Sequence, residues 1–139
     1  DTREEEAEFE QCGRVTGYFE AFTSPDERTI VSTGAHLFTS EAGATGYLAR
    51  FAERYKRLAG GTIGRQRVVA VSQLTVPRLG DTATAVALEL PDRQRITVLV
   101  RRGRVIGETL VVNGDGARAR TEAFELSRKL DDRIAGALR

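Results

Sequence analysis

The sequence has no methionine and no tryptophan, and it holds one cysteine, one histidine and two lysines. Each scarcity closes a class of chemistry. A single thiol, Cys12, cannot form a disulfide within the chain or build a multi-cysteine metal site. A reactive thiolate needs a basic neighbour, so a Cys12–His36 dyad is one reading, and a small apolar core residue is the default. One histidine and one cysteine fall short of the usual zinc set, and no Asp/Glu spacing matches a calcium loop, so neither a metal nor a cofactor is expected. No apolar run approaches the ~20 residues of a membrane-spanning helix. The missing methionine, even at position 1, suggests a chain that begins downstream of its initiator, with a membrane anchor upstream as one arrangement.

What remains is ordinary globular material. At 139 residues, 40% hydrophobic and 29% charged, the chain is long enough to bury a core without metal or disulfide support. The acidic stretch 1–12, "DTREEEAEFEQC", is expected to be flexible or a short helix, and residues 13–139 a single domain. Net charge is +1, which forces no polyanionic partner.

Strand and turn signals alternate along the domain. Runs near 14–22 and 29–38 flank "TSPDE", a turn cluster. Four more runs follow at about 67–76, 82–90, 95–101 and 104–112, separated by short Pro-, Gly- and Asp-containing turns, as in an antiparallel meander. "TIGRQR" at 62–67 reads as a linker. Two helices are expected. The first is capped by Ser40 and carries Ala44, Tyr47, Leu48, Phe51, Tyr55 and Leu58 on one stripe; Gly60-Gly61 ends it. The second spans about 117–138, with Ala119, Ala123, Leu126, Leu130, Ile134 and Leu138 on its stripe. The small-residue stretch "AGATG" at 42–46 calls for close backbone packing onto a sheet, or for a ligand above it. The expected fold is α+β: about six antiparallel strands in the order β-β-α-β-β-β-β-α, with two main helices on one face.

"RRGR" at 101–104 lies between two strand-like runs. Gly103 can take the positive φ of a tight hairpin, and no interleaved aromatics offer bases a stacking platform. A turn with solvated charge is therefore expected, and no nucleic-acid partner. "LAGGTIGRQ" lacks the Gly-Lys-Ser/Thr ending of a phosphate loop.

The ordered segments "GRVTGY", "AHLFTSEAGA", "VPRLGD", "VLVRRGRVIG" and "SRKLDDRI" resemble a loose group of small extracytoplasmic domains, found as secreted proteins or lipoproteins in Actinobacteria and Chloroflexi. They are similar in style to the sensor-like extracellular domains of bacterial receptor kinases and to the PsbP/Mog1-like sandwich. The resemblance implies an antiparallel sheet packed by helices and an extracytoplasmic location, secreted or membrane-anchored. It transfers no catalytic residue. The receptor-kinase sensor domains carry disulfides, which one cysteine cannot form within this chain.

Three functional readings follow. The first is a non-catalytic binding or sensor-like module for a small apolar ligand or lipid, in a cleft lined by Phe38, Tyr47, Phe51 and Tyr55. The same aromatics would serve equally as core. The second is a structural or protein-interaction domain that dimerises through an open sheet face. The third is an enzyme centred on His36 with an acid such as Asp81.

Overall fold

A computed structural model describes residues 2–139; Asp1, the first residue of the acidic stretch, lies outside the described residues. Helix α1 (Thr2–Cys12) leads into strands β1 (Arg14–Thr23) and β2 (Ile30–Phe38), then helix α2 (Glu41–Lys56). A two-residue hairpin follows, β3 (Thr62–Ile63) with β4 (Gln66–Arg67). Then come β5 (Ala70–Leu74), β6 (Thr82–Glu89), β7 (Gln94–Arg102), β8 (Val105–Asn113) and helix α3 (Gly116–Ala137). The main sheet has six antiparallel strands in the order β1-β2-β8-β7-β6-β5. The expected α+β class, strand number and element order are present.

Local chemistry explains the boundaries. Ser40 caps α2 by accepting a hydrogen bond from the Gly43 amide at 2.9 Å, and Asp115 caps α3 through the Arg118 amide. Gly103 turns the β7–β8 hairpin with φ +55°. Two of the three "RRGR" arginines are held within the chain. Arg102 forks onto Asp131 of α3 at 2.6 and 3.0 Å, and Arg101 reaches the Gly103 carbonyl and Asp81.

The helices divide between the two faces of the sheet, where the sequence pattern suggested a shared one. Val86, Leu88, Leu99 and Ile106 face α2 and pack with Phe38, Tyr47, Leu48, Phe51 and Tyr55. Their strand neighbours Ala85, Ala87, Val98, Val100 and Val111 face the other way, against Ala119 and Ala123 of α3. The physical reason is the pleat: successive residues point to opposite faces. The alanines and valines of β6 and β7 form a second apolar face, smooth enough for a helix to lie close. Gly107 marks that approach, since a Cβ there would stand 2.9 Å from the Ile134 side chain and 3.0 Å from that of Leu130.

Candidate functional site

The aromatic side of the sheet is built around a buried polar group. His36 is 2% exposed on β2. Arg14 Nε donates to its Nδ1 at 2.9 Å, which leaves the ring proton on Nε2, 3.2 Å from Glu108 Oε1. Phe9, Phe19 and Tyr47 surround the ring at centroid distances of 4.9, 4.8 and 5.9 Å. The arrangement clamps α1, β1, β2 and β8 together. The acid beside His36 is thus Glu108. Asp81, the acid considered from the sequence, sits at the start of β6 and accepts from the Gly103 amide at 2.8 Å. Nor does His36 face Cys12. The Cys12 sulfur lies near Gly46 of α2, and burial pushes its thiol upward, away from the thiolate.

Helix α1 is docked on α2. Phe9 stacks on Tyr47 with centroids 4.7 Å apart. Glu8 pairs with Arg54 in a buried ion pair, Glu4 with Arg57, and Gln11 with Arg50. The small-residue stretch at 42–46 belongs to this contact: a side chain at Gly43 would collide with the Cys12 carbonyl oxygen. Its close neighbour is the end of α1, where a sheet or a ligand was expected.

Of the four aromatics read as a cleft, Phe38, Tyr47 and Phe51 are core residues, at most 2% exposed. Burial raises the Tyr47 phenol above its ordinary range, and the nearby Glu108 charge adds to that. Tyr55 differs, because it reaches the wall of an open cleft. That cleft lies between α1, the end of α2, the β3–β4 hairpin and the start of β7, with a volume near 620 Å³. Such a volume suits a small organic ligand. Tyr55, Leu58 and Ile63 form its apolar wall, and Arg54, Arg57, Arg95, Glu4 and Glu5 its polar one. Arg54 and Arg57 are neutralised by α1. Arg95 has no carboxylate partner among the described residues, and its Nε is buried without a hydrogen bond. It stands close enough to Tyr55 to oppose the rise that burial imposes on that phenol.

Sequence reasoning missed this site for two reasons. "TIGRQR" forms a small hairpin where a linker was read, and so supplies one wall. Arg95 opened the strand run 95–101 with no face assigned to it, and its register opposite Leu88 and Val112 puts it on the α2 face of the sheet. Strand parity, counted from Val86 and Leu88, is the signal that could have found it.

No family model and no curated protein matches the chain. Its fold is similar to that of the extracellular domain of PknH from Mycobacterium tuberculosis, at 11% sequence identity and a TM-score of 0.56, over 89% of this chain and 70% of that one.

Proposed function

We propose that this chain is a non-catalytic, extracytoplasmic binding or sensor-like module that takes a small apolar molecule or lipid in the cleft beneath α1. The observation that carries the reading is the divided lining of that cleft: an apolar wall of Tyr55, Leu58 and Ile63 beside the uncompensated guanidinium of Arg95. An amphiphile with an acidic head matches both parts. Its tail would cover the apolar wall, and its head would give Arg95 the planar acceptor that its fork geometry favours. The likeness to the extracellular domain of PknH supports the extracytoplasmic setting. The closed surroundings of His36, held between Arg14 and Glu108, support a non-catalytic role.

The test is native mass spectrometry on protein from its own host, followed by titration with dodecanoate monitored by thermal melting. The expected result is a bound mass lost on denaturation, and a melting temperature that rises with dodecanoate by mass action. Arg95→Ala should weaken dodecanoate binding roughly tenfold, the equivalent of about 1.4 kcal/mol. A clean mass together with an unchanged melting temperature would overturn the proposal.

A further inference from the structure

The two edges of the sheet are unlike. β5 is five residues long, whereas β1 is ten residues long and carries no proline and no lysine. Sheet edges are normally blunted by such residues or by cover from a helix or loop. Instead, β1 exposes Val15 (58%), Tyr18 (68%), Phe19 (40%) and Phe22 (68%). On the α3 side, Tyr18 and Phe22 go uncovered because α3 packs on β7 and β8; Phe19 lies on the opposite face, against the His36 ring, and is only partly covered there.

The hydrogen-bond alternation tells which main-chain groups are free. The Phe38 amide bonds the Arg104 carbonyl, so even-numbered β2 residues point toward β8 and odd-numbered ones toward β1. Their partners Thr16, Tyr18, Glu20 and Phe22 bond inward. The amides and carbonyls of Gly17, Phe19, Ala21 and Thr23 therefore face outward.

We infer that this edge pairs with β1 of a second copy, antiparallel, about a two-fold axis at Phe19, so that two six-stranded sheets become one. The register follows from charge. Glu20 is the one charged residue between Thr16 and Thr23. A two-fold at Glu20 would set like charges directly opposite, which is unfavourable. A two-fold at Phe19 sets Glu20 opposite Tyr18 of the second copy. The Tyr18 hydroxyl, which now donates to Glu20 of its own strand at 2.8 Å, then has the same acceptor across the interface. Phe22 falls opposite Thr16, and the two Phe19 rings meet across the axis. About six main-chain hydrogen bonds form from groups that are otherwise unpaired. The exposed surface of Val15, Tyr18, Phe19 and Phe22 comes to about 400 Å² per copy, taking roughly 150–250 Å² for a whole aromatic side chain. That is about half of the ~800 Å² each partner gives to a standard interface, and the strand backbone adds to it. A reversible dimer is expected.

The experiment is sedimentation equilibrium from about 5 µM to about 1 mM, a range that brackets interfaces of this size, together with amide hydrogen exchange at both ends of the range. The mass should climb toward twice that of the single chain, and the Gly17, Phe19 and Ala21 amides should gain protection as it does. Ala21→Pro removes an outward-facing donor and leaves the β1–β2 ladder intact, so it should hold the chain monomeric with its circular dichroism spectrum unchanged. A wild-type chain that stays monomeric, with β1 amides exchanging freely at the highest concentration, overturns the inference and leaves the edge to a different chain. A dimer whose β1 amides gain no protection also overturns it, whether or not the proline variant folds.

Discussion

The two faces of the sheet solve the same problem with different materials. Against α3 the sheet presents mostly alanine, valine and glycine, with Ile96 among them, and the helix answers with Ala119 and Ala123. Small residues on both sides let the helix lie close, so little space is left between them. Against α1 and α2 the sheet sets its own Phe38 beside Tyr47, Phe51 and Tyr55 of α2. Rings of that size hold the helices off the sheet, and two of them bring hydroxyls into the core. That side also buries His36, Arg54 and Glu8, each of which needs a partner at close range. The cleft opens on this side. The contrast teaches that one sheet can be covered either by large rings tied into a buried polar network or by small aliphatic residues at close range.

Three perturbations break or sharpen that contrast. The largest effect is expected from Phe51→Ala, which empties the middle of the aromatic side. It should cost about 3–5 kcal/mol in urea unfolding, because the stacked and tilted neighbours cannot collapse into the space. Gly107→Val attacks the opposite face by thrusting a branched side chain at Leu130 and Ile134. Overpacking there should cost about 1–3 kcal/mol. A double variant that also carries Leu130→Ala should recover part of the loss, which a double-mutant cycle would read.

The smallest effect separates the faces by pH. Tyr47, Tyr55 and Cys12 lie on the aromatic side, and burial raises all three above their ordinary values. In the unfolded chain these groups lose their protons first. The stability their neutral forms confer is therefore complete below about pH 8 and declines as pH rises beyond it, first through the thiol and then through the phenols. Denaturant midpoints measured from pH 7 to pH 11 should fall at the alkaline end. Tyr47→Phe should flatten that fall, whereas Gly107→Val should shift the whole curve downward without changing its slope.

Much of the architecture could be read before any coordinates. The stripe Ala44, Tyr47, Leu48, Phe51, Tyr55 is buried as its helical spacing implied, and the turns at "TSPDE", "PDRQ" and "RRGR" join antiparallel strands. The candidate site was harder to see. Of the four aromatics named for it, Tyr55 lines the cleft, and Phe38, Tyr47 and Phe51 lie in the core. Apolar residues that line a cleft and those that fill a core obey the same pattern, so periodicity cannot separate them.

Local forces therefore account for which segments become helix or strand and where each stops. Caps, glycines with positive φ, and two periods of hydrophobicity act within a few residues and are written directly in the chain. Three features required the assembled molecule. Which face each helix takes depends on the size of side chains from several strands at once. The docking of α1 depends on Glu4 and Glu8 meeting Arg57 and Arg54, about fifty positions later in the chain. The cleft depends on Arg95, Tyr55 and Ile63 arriving from three separate elements. Long-range pairings of this kind are settled by mutual burial and charge, and those energies exist only once distant segments are brought together.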